Sequence, residues 1–266
     1  MSAIDSLFAK FRSENKKALM PFVTAGDPDL EFTAAVIREL VARGASMCEV
    51  GIPYSDPIAD GPVIQASYTR ALGKKIKLAG ILDMLGGVAP QVDTPLVTMV
   101  SYAIIYRHGL EKYAAELAQR GVAGMIVPDL PVEESPQLAK ICAARDLSLV
   151  QLITPTTPPD RALRIAATSS GFIYYVSVAG ITGERTQLPP DLVERVSWLR
   201  QQTPLPVCIG FGVSQPEHVR LLAPVADGLI VGSAIVRRIA EANSQGRDTT
   251  ISAVGDYLGT LLAALK

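Results

Sequence analysis

The chain has 266 residues, enough to bury a large core and within the length at which an α/β barrel forms one domain. Hydrophobic residues make up 48% and charged residues 19%, a balance that excludes a disordered chain. A formal charge of -1 offers no general attraction for nucleic acid or an anionic membrane, so neither is an expected partner.

The first twelve residues mix acids and bases with Leu7, Phe8 and Phe11 and lack the apolar core of a signal peptide, which predicts a short amphipathic helix and a cytoplasmic address. Apolar runs then recur near 19–23, 47–50, 96–100, 124–127, 147–153, 172–176, 207–209 and 228–231, and read as eight strands. Helical patterns separate them at 30–41, 110–120, 134–144, 161–167, 192–201 and 217–222. Strands alternating with helices predict a parallel sheet. Continuous apolar strands imply burial on both faces, and a count of eight predicts a closed (β/α)₈ TIM barrel. The rival is a doubly wound open sheet, but its glycine fingerprint does not follow the first strand. Further helical patterns at 64–72, 78–85 and 251–265 decorate the barrel. No linker or low-complexity tract interrupts the chain, so residues 1–266 are expected to form a single domain.

Cys48, Cys142 and Cys208 lie in apolar runs without metal or redox spacing and read as buried packing thiols. His108 and His218, far apart in the chain, read as surface or packing residues, and no metal is expected.

The segment from Cys48 to Pro62 sets Glu49 near the carboxyl end of a strand, and Asp56 and Asp60 in a loop stiffened by Pro53 and Pro57. A buried carboxylate holds its proton and a more exposed one stays ionised, so this pair suits divided acid and base roles. Asp60-Gly61-Pro62 also fits a plain helix start with Pro62 in the first turn.

Barrel enzymes place their sites at the carboxyl ends of the strands. Thr24, Glu49, Asp60, Ser101, Tyr102, Asp129 and Thr154 all follow strands. After strands six, seven and eight come Gly180-Ile181-Thr182-Gly183, Gly210-Phe211-Gly212 and Gly232-Ser233-Ala234, with no lysine after strands seven or eight. Their amides, the Ser233 hydroxyl and a helix starting near Gly232 suit a phosphate group. Residues 180–190, glycines at one end and Pro189-Pro190 at the other, read as a lid or an ordinary exposed loop.

Pro21-Phe22-Val23-Thr24-Ala25-Gly26-Asp27-Pro28, the Glu49 to Pro62 segment, Pro128-Asp129-Leu130-Pro131 and the three glycine motifs together resemble the tryptophan synthase alpha subunit family over nearly the whole chain. The resemblance implies retro-aldol cleavage of indole-3-glycerol phosphate to indole and glyceraldehyde 3-phosphate. It also implies a beta-subunit partner in an alpha2-beta2 complex that uses the indole to make tryptophan. It implies no cofactor in this chain, with pyridoxal phosphate in the beta partner.

By the same resemblance, Glu49 is the principal acid/base and Asp60 is placed at the indole N–H. Phe22 and Ile64 then wall the indole, Tyr174 borders the glycerol phosphate, and Thr182, Gly183, Phe211, Gly212, Gly232 and Ser233 bind substrate. Pro53, Asp56, Pro57 and Asp129 form the partner surface. One departure is evident: the family commonly has a tyrosine and, two residues on, an asparagine after strand three, where this chain has Ser101 and Ala103. Two other functions fit the same pocket, a stand-alone indole-glycerol-phosphate lyase and a weakly active phosphate-binding activator of the beta subunit.

Overall fold

In the computed structural model, which describes residues 1–57, 60–177, 191–210, 212–241 and 246–265, eight parallel strands close into a barrel in chain order. They are β1 (Ala18–Thr24), β2 (Cys48–Gly51), β3 (Leu96–Met99), β4 (Gly124–Ile126), β5 (Ser148–Ile153), β6 (Ile173–Val176), β7 (Val207–Gly210) and β8 (Gly228–Val231). β1 pairs with both β2 and β8, so no strand presents an open edge.

Every strand residue but Leu152 is buried, and the two-residue period sorts them into two cores. Met20, Phe22, Met47, Val97, Ile126, Val150, Tyr174, Cys208 and Ile230 belong to one cluster and fill the barrel. Leu19, Val23, Cys48, Val50, Met125, Leu149, Tyr175 and Leu229 belong to the other and face the surrounding helices. Glu49 shares the parity of Met47, and therefore projects into the lumen with the inner core.

The helices are α1 (Ala3–Ser13), α2 (Leu30–Ala42), α3 (Pro62–Gly73), α4 (Leu78–Val88), α5 (Tyr102–His108), α6 (Leu110–Gln119), α7 (Ser135–Ala143), α8 (Pro159–Thr168), α9 (Leu192–Gln202), α10 (Pro216–Leu222), α11 (Ser233–Ala240) and α12 (Arg247–Ala263). The sequence reading had all of these except α5, which follows β3 directly. Their starts obey local chemistry: Asp29 caps α2 through the Phe32 N–H, and Pro stands in the first turn of α3, α7, α8 and α10.

Helix α1 closes the amino-terminal end of the barrel. Ser2 and Asp5 form a capping box, Ile4 and Phe8 are buried, and the Phe8 ring lies 5.7 Å from that of Phe172 at the start of β6. The Ser2 hydroxyl meets that of Ser148, at the start of β5, at 2.7 Å. With that end plugged, the carboxyl mouth is the open one. Among the described residues, no helix is long and apolar enough to cross a membrane.

The three cysteines are buried and free. His108 pairs with Glu116 at 3.0 Å, and His218 is buried, its Nδ1 accepting the Ser214 N–H at 3.3 Å. Both histidines therefore have packing roles.

Candidate active site

Glu49 is 1% exposed, and neither carboxyl oxygen accepts a hydrogen bond from a described residue. Burial, and then the charge of Asp60, push its carboxyl up to about 8. Asp60 lies in the loop between β2 and α3, only partly buried, and desolvation pushes it up to about 6. At neutral pH the strand-borne acid holds its proton while the loop-borne one is mostly ionised. A single site thus offers a proton and a negative charge within electrostatic reach of each other.

Asp60 is not consumed in starting α3. Gly61 occupies the N-cap, Pro62 is in the first turn, and no side chain caps the helix. Gln65, one turn into α3, instead fixes the loop: its amide donates to the Pro57 carbonyl at 3.2 Å and to the Asp60 carbonyl at 2.7 Å. The same helix is tied to the end of β1 and to the loop that follows it. The Thr24 and Ser67 hydroxyls meet at 2.6 Å, and Arg70 grips the buried Asp27 carboxylate with two bonds of 2.8 and 2.6 Å. Neither of the Ser67 and Arg70 anchors was apparent from sequence spacing, since each joins residues 43 positions apart.

Phe22 stands opposite Glu49 in the β1–β2 register. Phe22, Ile64 and Tyr174 are all 4% exposed and belong to the lumen cluster around Glu49. Tyr174 occupies the space over Gly210 in β7, where any side chain would strike its hydroxyl and ring. Gly51, the residue two beyond Glu49 on the lumen side, is similarly obligatory: a Cβ there would collide with the Phe22 ring and come within 3.0 Å of the Tyr68 hydroxyl.

On the rim formed by the loops after β7 and β8, Gly212 has a φ of 80°, a left-handed backbone that glycine adopts freely. Gly232 is the N-cap of α11, and Ser233 is its first residue. A Cβ at Gly232 would lie 3.8 Å from Phe22, so this helix start adjoins the aromatic wall. Exposed amides at such a terminus suit an anion. Thr182, Gly183 and Phe211, together with the suggested lid at 180–190, fall outside the described residues.

Of the four residues expected on a partner surface, Asp56 and Asp129 are exposed, Pro57 is half-buried and Pro53 is buried, so the tip around Ser55 and Asp56 is what the loop presents. Asp129 has an internal task as well. Its carboxylate accepts from the Ser101 hydroxyl at 2.6 Å and from the Tyr102 N–H at 2.7 Å, while Ser101 caps α5 by accepting from the Ala103 N–H. Ser101 is thereby built into the rim, and the serine that precedes the helix was the signal for α5.

A closed (β/α)₈ barrel whose carboxyl mouth gathers a proton-bearing acid, an ionised acid, aromatic walls and an amide-lined rim defines a barrel enzyme of the acid–base class. The tryptophan synthase alpha chain family matches residues 8–262. The tryptophan synthase alpha chain of Rhodopirellula baltica is 56% identical, with 100% of this chain and 99% of that protein aligned. That of Rippkaea orientalis is 42% identical over 100% and 99%. Among solved structures, tryptophan synthase subunit alpha from Legionella pneumophila superposes with a TM-score of 0.92 at 34% identity, covering 100% of this chain and 98% of that one. A tryptophan synthase chain from Mycobacterium tuberculosis gives 0.88 at 27% identity, with both chains fully covered.

The chain belongs to the tryptophan synthase alpha chain family. The family's alpha chain is a lyase that cleaves indole-3-glycerol phosphate, needs no cofactor of its own and works in complex with a beta subunit, which holds the pyridoxal phosphate.

Proposed function

We propose that Glu49 and Asp60 carry the retro-aldol cleavage of indole-3-glycerol phosphate in this chain. The observation that supports this most directly is the buried Glu49 carboxyl, with no described donor, beside a second carboxylate whose proton affinity is lower. Glu49 starts protonated and delivers its proton to the ring carbon that bears the glycerol chain. The resulting carboxylate takes the proton of the adjacent chain hydroxyl. That oxygen becomes the aldehyde oxygen, and the electron pair of the carbon–carbon bond returns to the ring. Asp60, ionised, stabilises the positive charge that the protonated ring carries at its N–H.

Phe22, Ile64 and Tyr174 enclose the flat ring and chain. Gly212, Gly232 and Ser233 take the phosphate with backbone amides, a hydroxyl and the start of α11, in concert with Thr182, Gly183 and Phe211. Asp56, Pro57 and Asp129 meet the beta subunit at the same mouth, with Pro53 shaping the loop from beneath. The 266 residues act as one domain in the cytoplasm, the amino-terminal helix serving as the barrel's plug.

The test is to incubate the purified chain with indole-3-glycerol phosphate, with and without its beta partner, and follow indole and glyceraldehyde 3-phosphate. Release of both, accelerated by the partner, is expected. Full turnover without any response to the partner supports the stand-alone lyase, and partner stimulation without cleavage supports the activator.

A further inference from the structure

Tyr68, on α3, is 2% exposed, and its ring lies 5.6 Å from that of Tyr54. Its hydroxyl fills the space that Gly51 leaves empty on the lumen side, next to the edge of Phe22. Gly51 is one pleat above Glu49, so the phenol oxygen sits in the layer directly over the buried acid.

The two hydroxyls nearest that layer, of Thr24 and Ser67, are committed to each other and to α3. Ser67 donates its single proton to the Ile64 carbonyl at 2.7 Å, so Thr24 must donate into Ser67. No described residue hydrogen-bonds to the Tyr68 hydroxyl. The two carboxyl oxygens of Glu49 likewise receive no described donor. A buried acceptor without a described donor, Glu49, and a phenol that no described residue engages, Tyr68, therefore face one lumen, one layer apart, without meeting. A buried carboxyl without a partner is costly, and a hydroxyl-bearing ligand between the two groups would bond to both.

We propose that Tyr68 is a further substrate-contacting residue: its phenol donates a hydrogen bond to the same chain hydroxyl of indole-3-glycerol phosphate whose proton Glu49 removes. This rests on the assignment of Glu49 and of the substrate made above. Burial, then Asp60, Tyr54 and Glu49, hold the phenol proton well beyond its ordinary value, so Tyr68 remains a donor throughout. The hydroxyl proton passes to Glu49, the freed oxygen pair forms the carbonyl, and the bond pair returns to the ring. Tyr68 keeps its own proton and steadies the negative charge that gathers on the oxygen midway.

The experiment compares parent and Tyr68→Phe, a change that removes one oxygen and keeps the ring packing. Turnover of indole-3-glycerol phosphate should fall about 10- to 100-fold in kcat/KM, the scale of one hydrogen bond to a developing charge. Calorimetry in a Glu49→Gln background supplies the second readout. There Tyr68→Phe should weaken indole-3-glycerol phosphate but leave indole-3-propyl phosphate, which has no chain hydroxyl, unchanged within about twofold. The ratio of the two affinities is independent of how much protein is folded. Equal weakening of both ligands, or unchanged kcat/KM, overturns the role of Tyr68. A parent chain that fails to cleave the substrate overturns the proposed function instead, so the two failures are separate.

Discussion

Glu49 and Phe22 are register partners on adjacent strands, so the buried acid and the aromatic wall leave the barrel at the same height. A flat ring laid against Phe22, as proposed, would thereby be held level with the Glu49 carboxyl. Rigid strands set that distance, which is the setting in which positioning contributes most to rate.

Replacing Glu49 by Gln removes proton exchange with almost no change of volume. Turnover should fall by roughly 10²- to 10⁴-fold, with substrate affinity retained. Steady-state kinetics paired with calorimetry checks this, and near-normal turnover would remove Glu49 from the chemistry.

The dependence of kcat/KM on pH should be bell-shaped. The proposed mechanism requires Asp60 ionised and Glu49 protonated, so the acidic limb should fall near 6 and the alkaline limb near 8. These are apparent constants of an interacting pair. Glu49→Gln should abolish the alkaline limb in whatever activity remains, whereas a limb that persists belongs to another group.

The same proton affinity makes a prediction about stability. The folded chain holds the Glu49 proton up to about 8, while the ordinary value in an unfolded chain is 4.5. Between these limits the folded state binds more protons than the unfolded, so the contribution of Glu49 becomes increasingly destabilising as pH rises. Glu49→Gln should therefore gain on the parent across that window, by at most about 1.4 kcal/mol per pH unit, and level off above it. Denaturant unfolding of both proteins at several pH values measures the difference, and a constant offset would contradict the burial assigned to Glu49.

Gly232→Ala isolates the anion site. The added Cβ would meet Phe22 at ordinary contact distance, and the backbone at Gly232 has a negative φ, so the fold should lose no more than about 1 kcal/mol. Affinity for indole-3-glycerol phosphate should drop several-fold, and affinity for indole should not. Equal binding of glycerol phosphate by variant and parent would place the phosphate elsewhere.

Asp56→Ala should reduce activation by the beta subunit more than it reduces the basal turnover of the free chain. Asp56 is exposed at the loop tip and Asp60 is at the loop's other end, so docking and chemistry share one element. Titrating the partner against fixed chain gives the comparison, and superimposable activation curves would free Asp56 from the coupling.

The barrel was legible because its strands are buried on both faces and read as uninterrupted apolar runs, bounded by glycine and proline. Helix α5 was not, because Tyr102-Ala103-Ile104-Ile105 reads as a continuation of strand β3 and seven residues are too few to show a helical period. Glu49 and Asp60 were visible as carboxylates near a strand's end and in the loop after it, yet the choice between capping and chemistry needed the backbone, which gives the cap to Gly61. Arg70, Ser67 and Tyr68 gave no local sign of their contacts, since their partners arrive from β1, the loop after it and β2 only when the barrel closes.

Gln65 holds the carbonyls of both Pro57 and Asp60, so the loop hangs from α3 at two points, whereas Glu49 belongs to the barrel wall. The two acids consequently answer to different authorities. One inherits its place from the sheet and is as fixed as the fold itself. The other takes its place from a helix and a loop that reach the outer surface, where a visitor can lean on them. With the proposed docking at that loop, partner choice can drift, tightening or loosening the coupling through one carboxylate, while the buried acid stays where the barrel put it.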